Sequence, residues 1–189
     1  MRIITAISGA SGAAYGLELI RRLGAGGHEL HGVVSRYGYT VLEHECGVGK
    51  DALIPLLAEL HDNEDMTACI ASGSFRADAM VIAPCSMRTL AAVASGLAGN
   101  LMCRAADVMI KERKPLVLAV RETPLSAIHL ENMLKLARLG VCVMPLAPGF
   151  YHRPESIGDL LGIMAGRIMD NIGLSDPALP RWQGMGEER

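Results

Sequence analysis

The stretch Ser8-Gly9-Ala10-Ser11-Gly12-Ala13-Ala14-Tyr15-Gly16 decides how the rest of the chain is read. Before it, Arg2-Ile3-Ile4-Thr5-Ala6-Ile7 is a β-branched run of the kind that forms a buried strand. After it, Leu17-Glu18-Leu19-Ile20 continues as a helix. A strand, a small-residue turn and a helix N-terminus make a ready anion site. The first N–H groups of a helix lack intrahelical partners, and the helix dipole favours negative charge there. Ser11 is expected at the N-cap, where its hydroxyl can donate to a phosphate oxygen. The dinucleotide fingerprint requires G-x-G-x-x-G and an acid at the end of the second strand. Here Ser11 stands in the middle glycine's place, and the second strand, His31-Gly32-Val33-Val34, ends at the neutral Ser35. Both departures point away from NAD and toward a mononucleotide phosphate such as that of FMN. Taken alone, the turn fits a plain βα connection, with small residues for close packing, equally well.

Outward from that turn, strands alternate with helices. Gly24 to Gly27 stop the first helix, and a second is expected over 36–46. The region 47–75 is the least regular, and its Gly47-Val48-Gly49-Lys50 lacks the spacing of a P-loop. Ala79-Met80-Val81-Ile82-Ala83 is a continuous apolar run, the mark of a strand covered on both faces. Pro84-Cys85-Ser86-Met87-Arg88-Thr89 turns from it into a helix beginning near Leu90. Another helix over 101–114 precedes the strand 116–120. Thr123 is expected to cap the next helix, with Pro124 at its first position. The last strand is 141–144, and Ser156 with Asp159 forms a capping box for the final helix. The order implies an open parallel sheet with helices on both faces, a Rossmann-like or flavodoxin-like three-layer sandwich. Ligands of such sheets sit beyond the carboxyl ends of the strands. Ser11, Ser35, Ser86, Arg121 and the 145–154 loop all fall there.

Composition narrows the function. The 189 residues are expected to form one domain over 1–189, with a tail from about 174 packing on the core or a neighbour. A net charge of −2 leaves no footprint for nucleic acid or membrane. Five cysteines without a C-x-x-C pair suit a cytoplasmic protein with free thiols, and no metal site is expected. Half the residues are hydrophobic, which suggests apolar surface buried between subunits.

Several side chains then stand out. Arg104 and Lys111 lie two helical turns apart on one face and suit a phosphate, although an Asp107–Lys111 pair on a solvated face accounts for them as well. Arg121-Glu122 follows an apolar strand directly. Glu45 is a candidate base or an exposed helix-end carboxylate, and Tyr151 either meets an anionic substrate or anchors its loop. Arg167, among apolar neighbours, is either an interface residue or a solvated one, and the lone Trp182 docks on its own domain, a neighbouring subunit or a flat ligand. His129 reads as structural, and Cys85 as a small core residue. Together these describe an α/β domain for a phosphorylated flat cofactor and a second anionic ligand.

Gly9-Ala10-Ser11-Gly12, Pro84-Cys85-Ser86, Arg104-Ala105-Ala106-Asp107-Val108, Lys111-Glu112-Arg113, Arg121-Glu122-Thr123-Pro124, Ile128 to Met133 and Pro148-Gly149-Phe150-Tyr151 resemble the flavin prenyltransferase (UbiX-type) family. The resemblance extends to Leu179-Pro180-Arg181-Trp182 and is thin only between about Gly47 and Ala71. It implies a metal-independent transferase that joins a dimethylallyl group from dimethylallyl phosphate to N5 and C6 of reduced FMN. The product, prenylated FMN, would serve a UbiD-type decarboxylase, and the enzyme would be a homo-oligomer, a dodecamer. By the same resemblance Gly9, Ala10, Ser11, Ser35, Ser86, Met87, Arg88, Thr89 and Arg121 hold FMN. Arg104, Lys111, Arg121, Glu122, Tyr151 and Arg167 surround the allylic phosphate, some reaching in from a neighbour. Ser11 and Glu45 handle protons, Lys111 and Glu122 act at the reacting centre, and Trp182 shields it. The rival reading is an FMN-dependent cysteine decarboxylase of related fold, which would carry P-A-S-A-N-T at the 84–89 turn. A non-catalytic FMN-binding subunit is the third.

Overall fold

The computed structural model describes residues 1–179, 181 and 184, so the tryptophan of the tail, Trp182, lies outside the described residues. The strands are β1 (Arg2–Ile7), β2 (Glu29–Val34), β3 (Glu59–Asp62), β4 (Ala79–Cys85), β5 (Leu116–Val120) and β6 (Cys142–Pro145). The helices are α1 (Ala13–Ala25), α2 (Arg36–Cys46), α3 (Lys50–Leu53), α4 (Met87–Ala94), α5 (Leu101–Lys111), α6 (Ala127–Arg138) and α7 (Ile157–Asn171).

All five strand pairings are parallel, in the order β3-β2-β1-β4-β5-β6. The chain starts at the sheet centre, winds outward to β3, then crosses back to β4 and winds the other way. The reversal lies between β1 and β4, where open α/β sheets place their ligands. Side chains alternate across the sheet. Ile4, Ala6, Met80 and Ile82 face a core with Leu90 of α4, Ala105 and Met109 of α5 and Leu136 of α6. Ile3, Ile7, Ala79 and Val81 face Leu17 and Ile20 of α1 and Ala165 and Ile168 of α7. Both faces are covered, which is why the central strands read as unbroken apolar runs.

Three expected boundaries move. The cap of α1 is Gly12, not Ser11, and its φ of 101° is a left-handed conformation that glycine adopts without steric cost. Helix α4 begins at Met87, because Ser86 caps it by accepting from the Thr89 amide. Helix α6 begins at Ala127, not at Pro124: Ser126 and His129 form a reciprocal capping box, which gives His129 its structural role. Strand β3 and α3 fall in the stretch that lacked pattern. A Cβ at Gly16 would drive into the Ala83 carbonyl oxygen, so this glycine lets α1 lie against the end of β4.

Candidate active site

Strands β2, β1 and β4 are neighbours, so the N-termini of α2, α1 and α4 emerge side by side at one edge of the sheet. Short cross-links fix them. The Ser35 amide donates to the Ile7 carbonyl at 3.0 Å, tying the end of β2 to that of β1. Ser35 then caps α2 by accepting from the Gly38 amide at 3.0 Å. Ser8, 1% exposed, donates its hydroxyl to the Pro84 carbonyl at 2.8 Å and accepts from the Ser86 amide at 2.7 Å. This one side chain therefore locks the β1 turn to the β4 turn. Sequence reasoning passed over Ser8. Its signal was a hydroxyl among small residues at the end of an apolar strand. The Arg121 amide donates to the Cys85 carbonyl at 3.3 Å and ties in the end of β5.

Ser8→Ala is expected to leave the half-buried Ser86 amide unpaired and to lower stability by about 1 kcal/mol. Denaturant titration measures the loss, and retained flavin reports whether the Ser86 turn has moved. An unchanged midpoint would show that the cross-link is dispensable.

The N-terminus of α1 already holds an anion. The Glu45 carboxylate, from the last turn of α2, accepts from the Gly12 amide at 2.9 and 3.2 Å and from the Ala13 amide at 2.9 Å. Burial by itself would raise the Glu45 carboxyl. The Ser11 hydroxyl, the two amides and the nearby Arg121 charge outweigh it and hold it below the usual carboxylate range. Ser11 thus stands beside Glu45, whereas the α1 amides are not an open phosphate site. The neutral serine-capped ends of α2 and α4 remain. Within the Ser86–Thr89 turn, Met87 turns its side chain into the core, so only its amide can serve a ligand. The Arg88 side chain is exposed, and the Ser86 and Thr89 hydroxyls lie 3.1 Å apart.

Beyond β6 an apolar cavity of about 380 Å³ is lined by Met144, Pro145, Tyr151, Met164, Arg167 and Leu179, among others. Tyr151 and Arg167, sixteen positions apart, both line it. Arg181 also lines the cavity and grips Asp170 at 2.6 and 2.8 Å. Sequence reasoning did not single it out. Glu122 stays exposed and accepts from the Thr123 amide at 3.1 Å.

Helix α5 behaves differently. Arg104 donates to the Ala71 carbonyl at 3.0 Å and to Asp107 at 2.8 Å, so Asp107 pairs with Arg104 and not with Lys111. Lys111 pairs with Glu112, close to Gly73. The helix runs back toward the start of β5, which places Lys111 at the amino edge of the sheet and Tyr151 beyond its carboxyl edge. Within one chain Lys111 does not join the Tyr151–Arg167 cavity. Cys85 is fully buried, and burial pushes its thiol far up, so it is a core residue and no nucleophile.

Known proteins share this fold. The Flavoprotein family profile matches residues 1–167. A probable UbiX-like flavin prenyltransferase from Streptomyces sp. (strain D7) is 47% identical over the full chain and 95% of that relative. The crystal structure of AnUbiX (PadA1) in complex with FMN and dimethylallyl pyrophosphate is 42% identical, with TM-score 0.96 over 98% of each chain. A dodecameric FMN-dependent Ubix-like decarboxylase from Escherichia coli O157:H7 is 43% identical, with TM-score 0.95 over 97% of this chain and all of that one. With its fold, its serine-capped turns and its near-complete overlap with these proteins, the chain belongs to the UbiX-type flavin prenyltransferase family.

Proposed function

We propose that the protein joins the dimethylallyl group of dimethylallyl phosphate to N5 and C6 of reduced FMN, supplying prenylated FMN to a UbiD-type decarboxylase in the cytoplasm. The observation that carries this reading is the cavity beyond β6. Its walls are methionine, proline and leucine side chains suited to a short branched hydrocarbon, while Tyr151, Arg167 and Arg181 supply a phenol and two cations for a phosphate. The donor set around the β1 and β4 turns fits a phosphate monoester: two serine-capped helix ends, Arg121, and no acid at the end of β2. FMN bound there offers the nucleophilic ring atoms that receive the prenyl group.

Breaking the allylic C–O bond puts negative charge on the departing phosphate. Arg167 and Tyr151 stabilise that charge, and Arg104 and Lys111 complete the grip from a neighbouring chain, because α5 carries Lys111 away from its own cavity. The apolar walls keep water from capturing the cation as an alcohol. Glu45, ionised and held by Ser11, accepts on its carboxylate oxygen the proton released when C6 gains its new bond. The exposed apolar side chains of α6, Ile128, Leu130 and Leu134, suit burial between subunits of a closed assembly such as a dodecamer.

Incubation with reduced FMN and dimethylallyl phosphate, followed by mass spectrometry of the flavin, tests the reading. A gain of one dimethylallyl unit without added metal is expected, from a particle larger than a dimer by light scattering. Unchanged flavin, or turnover of a peptidyl cysteine instead, would overturn it. At the position where the cysteine decarboxylases carry P-A-S-A-N-T, this chain has Pro84-Cys85-Ser86-Met87-Arg88-Thr89.

A further inference from the structure

At the β2–β3 edge of the sheet, away from the cavity beyond β6, two histidines are buried. His31 is 5% exposed and His61 6%. Their ring planes are within 14° of each other with centroids 5.3 Å apart, so the rings meet edge to edge, nitrogen facing nitrogen, and Phe75 packs nearly perpendicular to His31 at 4.7 Å. His31 Nδ1 faces His61 Nε2 at 3.0 Å.

The outer nitrogen of each ring faces a carboxylate. His31 Nε2 lies 3.0 Å from Glu29 Oε1, and His61 Nδ1 lies 3.4 Å from Glu59 Oε1. A neutral imidazole carries a single N–H. Two neutral rings satisfy the two hydrogen bonds, His31 donating from Nε2 to Glu29 and accepting at Nδ1 from His61 Nε2–H. With the His61 proton moved to Nδ1, beside Glu59, both inner nitrogens are free as ligands.

The surroundings supply two further ligand atoms. Glu59 Oε2 lies 3.8 Å from His31 Nδ1. One ligand atom from each of His31, Glu59, His61 and Cys69 lies within 4.8 Å of the others. Ligand atoms around tetrahedral zinc, bonded at about 2.0–2.3 Å, stand roughly 3.3–3.8 Å apart, so the set closes with shifts of about an ångström. We infer that His31, His61, Glu59 and Cys69 form a binding site for a tetrahedral divalent cation of the zinc type, separate from the prenyl-transfer centre.

Two features of this chain support the assignment. Glu29 orients His31 through its outer nitrogen, and Arg2 holds Glu29 in turn at 2.9 Å. Carboxylate–histidine pairs of this kind fix the tautomer and raise the basicity of a metal-ligating ring. The Glu59 side chain is 57% exposed, which gives a cation a way in from solvent. Cysteine spacing hid the site, because only the β2–β3 register brings His61 beside His31.

The test uses the full-length, FMN-loaded protein, stripped with chelator and titrated with Zn²⁺, then with Co²⁺ as a spectroscopic probe. One equivalent per chain is expected to bind. Cobalt should show a thiolate charge-transfer band in the near ultraviolet and intense tetrahedral bands in the visible. Cys69→Ser should abolish the thiolate band and weaken zinc at least tenfold, Glu29→Gln should weaken it by about 10–100-fold, and Cys46→Ser should change neither. Absence of saturable uptake at one equivalent, or a thiolate band that survives in Cys69→Ser, would overturn the assignment.

Discussion

Arg167→Ala and Lys111→Ala are each expected to retain FMN and to lose prenylation by about a hundredfold or more. Neither substitution strips a buried partner. The Arg167 side chain is 58% exposed, and its contact to Asp170 at 3.2 Å is the weaker of two, since Arg181 already grips that carboxylate twice. The Lys111 side chain is 47% exposed. Folding should therefore survive, and the loss should fall on the transition state. Removing a donor aimed at developing negative charge costs roughly 3–4 kcal/mol, at about tenfold in rate per 1.4 kcal/mol. Because Lys111 lies at the far edge of its own sheet, the two variants should also complement each other. In assemblies co-expressed from both, a cavity with intact Arg167 can meet an intact Lys111 from its neighbour. Random equal mixing restores about a quarter of such sites in a symmetric ring of shared contacts. Single-turnover prenylation by the single variants and the mixture reads both effects. Full activity in either single variant would remove that residue from the clamp, and a dead mixture would show that the site is not shared.

The central fold was legible because each central strand is covered on both faces and therefore appears as an apolar run, as Ala79 to Ala83 does. Strand β3 was not, because Glu59-Leu60-His61-Asp62 is a four-residue edge strand with three polar members. Helix starts were mistaken where a serine took the cap: Ser126 replaces Thr123 and starts α6 later, and Ser86 starts α4 ahead of Leu90. The candidate site was half legible. Residues at strand ends, such as Ser35 and Arg121, could be placed from topology alone. The position of Lys111 follows from the direction of α5, and Ser8 and Glu45 owe their roles to contacts 78 and about 33 positions away in sequence. No local pattern carries such pairings. An anion site inferred from an open helix end also overlooked that the chain carries its own anion to fill it.

That internal anion leads to the second large effect. Glu45→Gln is expected to keep FMN and the allylic donor while slowing turnover by about 10²–10⁴-fold, the range typical for loss of a positioned acid or base. The Gly12 and Ala13 amides, the Ser11 hydroxyl and Arg121 keep the native carboxyl ionised at neutral pH, so it stands ready to accept a proton. Glutamine preserves the shape and one accepting oxygen but takes up no proton. Its NH₂ group would also meet the amides that the second carboxylate oxygen now satisfies. The same contacts predict a stability signature. A carboxyl held below its unfolded value stabilises the fold at pH above that value, and the contribution disappears as pH falls through the folded value. Wild-type protein should therefore lose part of its stability as pH drops below the ordinary glutamate range, near about 4.3, and Glu45→Gln should show a shallower acid limb. Thermal unfolding from pH 7 down to 3 measures the slope, and stopped-flow prenylation measures the rate. A wild-type rate in Glu45→Gln would leave the carboxylate as a helix cap alone. An equally steep acid limb would show that its charge does not stabilise the α1 N-terminus.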